Sequence, residues 1–85
     1  MARSAYYESE LALLVESQAA REFLVQRAED STEDRQRWVL LVRRGTKWIP
    51  VRSKRENPRT WASLDTLQRF TVSVGIPAFT VESWS

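Results

Sequence analysis

The sequence has 85 residues and a formal net charge of +2, and a chain of this length forms one domain around one core. It contains no cysteine and no histidine, which excludes disulfides, thiol nucleophiles, zinc knuckles and the commonest general base. No apolar run approaches the roughly 18 residues that span a bilayer, and no apolar signal core follows Met1. We therefore expect a cytoplasmic protein without a membrane partner.

The charge is divided unevenly between the two parts of the chain. Residues 1–34 carry three basic and eight acidic side chains, a net charge of −5, whereas residues 35–85 carry ten and three, a net charge of +7. This asymmetry predicts an anionic partner for the basic part. The alternative is that the acidic part neutralises the basic part within the fold or across a dimer.

The first predicted element is helical and covers residues 4–29, with Ser4 as its N-cap, because helix-favouring residues dominate and neither glycine nor proline interrupts them. Its apolar residues form two stripes: Tyr7, Leu11, Leu14 and Val15, and then Ala19, Ala20, Phe23 and Leu24. Two short helices with a bend near Ser17, one helix contacted on several sides, and a plain amphipathic helix all remain open.

Residues 30–36 are predicted to be an acidic loop, because the segment is polar and has no hydrophobic periodicity. Asp30, Glu33 and Asp34 lie close together in it. A single flexible acidic cluster attracts a divalent cation only weakly. We therefore predict an exposed loop and no metal site.

A β-hairpin is predicted over residues 37–54, with Gly45 and Thr46 forming a type II′ turn. This register pairs Val42 with Ile49, Leu40 with Val51, and Trp38 with Ser53, which places these apolar residues on one face. The other face carries a mixed set: Arg37, Val39, Leu41, Arg43, Trp48, Pro50, Arg52 and Lys54. Since proline cannot donate to a ladder, Pro50 predicts that the second hairpin strand is an edge.

A basic loop over residues 53–60 precedes a predicted helix from about Ser63 to Val74. Ser63 or Thr60 is its N-cap and Gly75 its C-terminal glycine. Residues 78–82 alternate as a third strand, with Phe79 and Val81 inward. The predicted fold is therefore a single α+β domain of order α-β-β-α-β. Its three-stranded sheet has the first hairpin strand in the centre and helices on one face only.

No catalytic constellation is present, so we predict a non-enzyme without cofactors or a small-molecule substrate. Basic side chains beside an aromatic ring are typical of nucleic-acid binding. The candidate residues for binding nucleic acid or an anionic protein are Arg43, Lys47, Trp48, Arg52, Lys54, Arg55 and Arg59. Two alternatives compete with this assignment: a cross-strand cation–π contact between Arg43 and Trp48, and a protein-interaction or homodimer surface on residues 4–29.

A family resemblance covers roughly residues 37–82. It is carried by residues 59–67, by Arg69-Phe70 and by residues 75–81, and the tryptophan-rich hairpin is similar too. These stretches resemble small plasmid-encoded partition-associated accessory proteins of the ParC type. The resemblance implies a bacterial mobile element and a non-enzymatic accessory role, and it places no binding residues on this chain. An inhibitor of a host defence complex fits the composition equally well.

Overall fold

The computed structural model describes residues 5–29 and 31–82. Ser4 and Asp30, to which the sequence assigned an N-cap and part of an acidic cluster, lie outside this range. The elements in chain order are β1 (Tyr6–Tyr7), α1 (Glu8–Glu16), β2 (Phe23–Arg27), β3 (Trp38–Arg44), β4 (Lys47–Arg52), α2 (Leu64–Val74) and β5 (Thr80–Glu82). The described residues between β2 and β3, 28–29 and 31–37, are irregular, as predicted.

The sheet has five strands in the order β1-β4-β3-β2-β5 and is of mixed direction. Among the three central strands, β4, β3 and β2, both pairings are antiparallel, whereas β1 joins β4 and β5 joins β2 in parallel. The α+β class is therefore right, and the predicted three-stranded sheet is wrong. The predicted neighbour of β3 was the C-terminal strand, but β2 occupies that position.

The error lies in residues 4–29, which do not form a continuous helix. Helix α1 ends at Glu16, and Gln18 then adopts a positive φ of 61°, which turns the chain without a glycine. The following residues, Phe23, Leu24 and Val25, are all buried. A strand that has a neighbour on each side and whose side chains are buried on both faces has a continuous apolar sequence. In this chain that sequence resembles the second apolar stripe of the predicted helix.

The predicted hairpin is present, with Val42 opposite Ile49 and a two-residue turn that begins at Gly45. Gly45 has a φ of 65°, the positive value that the first position of a type II′ turn requires. The far end differs from the prediction, because Trp38 pairs with Trp61 rather than with Ser53. Two backbone hydrogen bonds of 2.9 Å join the two tryptophans.

The two sheet edges also differ from the prediction. Tyr6 and Tyr7 of β1 pair with Val51 and Arg52, so that among the described residues β4 is an open edge only over residues 47–50. Pro50 therefore lies on the unpaired part, where its missing N–H costs nothing. At the opposite edge Val81 is 42% exposed rather than buried, because no described strand lies beyond β5.

Both helices pack on the same face of the sheet, as predicted. The α2 boundaries are confirmed: the Ser63 hydroxyl accepts a hydrogen bond of 3.2 Å from the Thr66 amide, and Gly75 has a φ of 87°. One continuous core includes Leu11 of α1, Leu67 of α2 and inward residues of the central strands. In the described ranges no helix is long and apolar enough to cross a membrane.

Candidate functional site

The outer face of the sheet, opposite the helices, carries the hairpin side chains that the sequence singled out. Trp48, Pro50 and Arg52 of β4 point to this side because side chains alternate along a strand. The centre of the face is less open than expected, since Leu24 and Val39 are only 7% and 8% exposed. The face therefore combines an apolar centre with charged margins.

Two of the seven predicted residues form ion pairs with acids of the described chain. Arg43 forms an ion pair of 2.9 Å with Glu22. Arg59 forms an ion pair with Glu8, and its guanidinium lies 4.6 Å from the ring centroid of Trp61. Both arginines therefore hold segments of the chain together, and we leave them out of the candidate surface.

The cross-strand alternative for Trp48 has a clear outcome. Arg43 does lie opposite Trp48 in the register, but its guanidinium donates to the Glu22 carboxylate and to the Gly45 carbonyl oxygen. The cation–π contacts among the described residues involve other arginines. The Trp48 ring, 41% exposed, is therefore not covered by this neighbour.

The other five predicted residues follow one strand and its loop. We call this set, Lys47, Trp48, Arg52, Lys54 and Arg55, the β4 strip. Its two ends are separated because β4 rises by about 3.3 Å per residue, which places Lys47 and Arg52 roughly 17 Å apart. Lys47, Lys54 and Arg55 are exposed, and within the described chain their side chains have no ion-pair partner.

Local hydrogen bonds define how the basic end of the strip is presented. The Ser53 hydroxyl accepts from the backbone amides of Arg55 and Glu56, at 3.3 and 3.0 Å, which forms a tight turn. Arg52 Nε donates to the Ser53 carbonyl oxygen, and the Arg52 guanidinium lies 4.7 Å from the Tyr7 ring centroid. This turn directs Lys54 and Arg55 into solvent beside a guanidinium fixed on an aromatic ring.

Three acidic side chains, those of Glu8, Glu22 and Glu56, form ion pairs with arginines outside the strip. Besides the carboxylates of Glu8 and Glu22, Glu56 accepts from the Thr60 hydroxyl at 2.9 Å and lies 3.5 Å from Arg37. Internal neutralisation was the alternative explanation of the charge asymmetry. It accounts for part of the positive charge of the basic segment. Among the described residues it leaves the four cations of the β4 strip without an ion pair, together with Arg35 and Arg44.

Sequence reasoning missed two residues at this surface. Tyr7 reaches it because β1 pairs in parallel with β4, a contact across 45 positions of sequence that no local pattern signals. Arg21 lines a groove of about 460 Å³ together with Trp48 and Ala78. The available signal for Arg21 was its position just before a buried strand. The interpretation of residues 4–29 as a helix prevented this signal from being recognised.

A larger groove of about 620 Å³ crosses the outer face beside the strip. Its apolar floor includes Val39, Leu41 and Pro50, and Pro58 closes one side. The described residues contain no cluster of three or more metal-ligating side chains. The arrangement offers positive charge and exposed aromatic rings.

Comparison with known proteins assigns no relationship to this chain. No protein-family model matches it, and no curated protein or solved structure is similar enough to indicate common ancestry. The function must therefore be argued from the geometry of the β4 strip.

Proposed function

We propose that this chain is a non-enzymatic accessory protein of a bacterial mobile element that acts in the cytoplasm by binding nucleic acid through the β4 strip. The mobile-element assignment depends on the resemblance of residues 37–82. One observation carries the binding assignment: no cation of the strip has an ion-pair partner among the described residues, while Glu8, Glu22 and Glu56 pair with other arginines. Unpaired lysines and arginines on one line are suited to phosphate contacts.

The charge of the strip sets the expected salt dependence. Lys47, Arg52, Lys54 and Arg55 give four candidate phosphate contacts. Since each contact contributes about −0.7 to −0.9 to the slope of log K against log salt concentration, we expect a slope of about −3 to −4. Binding through an apolar surface has no such slope, so a salt series distinguishes the two modes.

The test uses fluorescence anisotropy with labelled oligonucleotides and a matched pair of charge reversals. Arg55→Glu changes the strip, whereas Arg69→Glu makes the same change in net charge on α2, where the arginine is also exposed. We expect Arg55→Glu to weaken binding strongly and to reduce the slope, and Arg69→Glu to have a much smaller effect. Equal losses would indicate a general response to net charge and would reject the β4 strip as the site.

A second candidate function is protein–protein interaction or homodimerisation, as in a partition partner or an inhibitor of a host defence complex. It is favoured by Leu13 of α1 and Val72 of α2, which are 65% and 69% exposed. The second apolar stripe of residues 4–29 no longer supports it, because Phe23 and Leu24 are buried in the chain's own sheet. Light scattering of the wild-type protein and of Leu13→Asp tests self-association directly.

A further inference from the structure

We propose that the nucleic acid bound by the β4 strip is single-stranded and runs along β4, with one unpaired base on Trp48 and another on the Arg52–Tyr7 pair. This inference rests on the proposed function and specifies its ligand. It starts from two exposed aromatic side chains, Trp48 at 41% and Tyr7 at 38% exposure. The other tryptophans of the described chain, Trp38 and Trp61, are buried.

The register places both rings on one face of the sheet. Tyr7 lies beside Arg52, and Arg52 shares its face with Trp48 four positions earlier in β4. Four steps along a strand and one step across to the next strand separate the two aromatic Cα atoms by roughly 14 Å. Pro50 lies between them on the same face. Two stacking positions at this separation suit an extended chain of nucleotides.

The Arg52–Tyr7 pair is a stacking platform in its own right. With the guanidinium 4.7 Å from the ring centroid, the two planar groups already contact each other. Unpaired bases stack on guanidinium planes as well as on aromatic rings. Lys54 and Arg55 follow immediately and supply positive charge for the phosphates beyond this position.

Space for a base is present at the other position. The groove of about 460 Å³ against Trp48 also contains the exposed Arg21, which has no ion-pair partner in the described part of the chain. Two acids line this groove, but Glu22 pairs with Arg43 and Glu82 accepts a hydrogen bond of 2.8 Å from Gln26. A nucleotide therefore meets the Arg21 cation and one free ring face there, whereas the Glu82 carboxylate keeps its charge because its partner, Gln26, is neutral.

The geometry of the sheet is unfavourable for binding a duplex. A two-stranded ribbon enters a major groove only if it projects freely. Here the hairpin is flanked by β2, which pairs with β3 as far as Val42, so only the two residues before the turn extend past it. In addition, the bases of an intact duplex are not available for stacking on Trp48. A single strand satisfies both the rings and the cations.

The test compares a labelled 12-nucleotide oligothymidine with a duplex of the same length by anisotropy at low salt. We expect the single strand to bind at least about tenfold more tightly. Trp48→Ala should weaken single-strand binding by roughly 5- to 100-fold, the range for loss of one stacked base, and Trp48→Phe should retain part of it. Because neither substitution removes a charge, the salt slope should stay unchanged.

Leu13→Ala is the control, since it removes an exposed apolar side chain from the opposite layer. Circular dichroism of each variant verifies that it is folded. Equal affinity for duplex and single strand, or less than a twofold effect of Trp48→Ala, would overturn the stacking inference while leaving phosphate binding intact. Absence of binding to either oligonucleotide at low salt would overturn both proposals.

Discussion

Replacement of Val25 by alanine tests the architecture of the sheet, because the expected loss of stability depends on β2 being a central strand. Val25 is fully buried and lies between Leu40 of β3 and Val81 of β5. The substitution removes two carbon atoms, worth about 0.8 kcal/mol each in transfer free energy. With the cavity that remains, the free energy of unfolding should fall by about 2–3 kcal/mol.

That loss is large for a chain of this size, whose total stability is expected to be about 4–13 kcal/mol. It corresponds to a decrease in Tm of roughly 8–20 °C. Val81→Ala is the matched control, because Val81 is the register partner of Val25 but is 42% exposed, so its loss should stay below about 1 kcal/mol. Urea denaturation followed by circular dichroism measures both values. An effect no larger than that of Val81→Ala would refute the central position of Val25 in the five-stranded sheet.

Three further substitutions test how the helical layer is held. Ser63→Ala should cost about 1 kcal/mol in urea denaturation by removing the N-cap of α2; no loss would mean that the cap is dispensable. Gly75→Ala should lower the free energy of unfolding by about 1–2 kcal/mol because of the positive φ of this residue. A steric clash does not add to this loss, because the nearest neighbour of the added Cβ lies at an ordinary 3.6 Å. Arg59→Ala should cost about 1–2 kcal/mol through a partly exposed ion pair and the contact with Trp61. The same measurement on Arg69→Ala should give almost no change, and comparable losses would show that the contacts of Arg59 contribute little.

The candidate site was predictable in part. Alternation along the hairpin placed Trp48 and Arg52 on one face, and the turn at Gly45 set the register that makes this so. The pairing of Arg43 with Glu22 was not predictable, because Glu22 was assigned to a helix. Tyr7 was missed for a related reason: two residues in a parallel pairing carry no periodic pattern.

The sequence by itself determined the elements whose signals are local. The hairpin over β3 and β4 and the capped helix α2 follow from alternation, a two-residue turn, and the N-cap and C-terminal glycine at Ser63 and Gly75. These features are decided by residues a few positions apart, so neighbouring chemistry is enough to specify them.

Tertiary structure decided the rest. Residues 23–27 have no local feature that separates a strand from a helix, and they become β2 because β3 and β5 supply hydrogen-bond partners on both sides. The same long-range contacts bring Tyr7 to Arg52 and pair Arg43 and Arg59 with acids from the first part of the chain. The fold therefore determines which cations remain free, because an ion pair forms between residues that only the fold brings together.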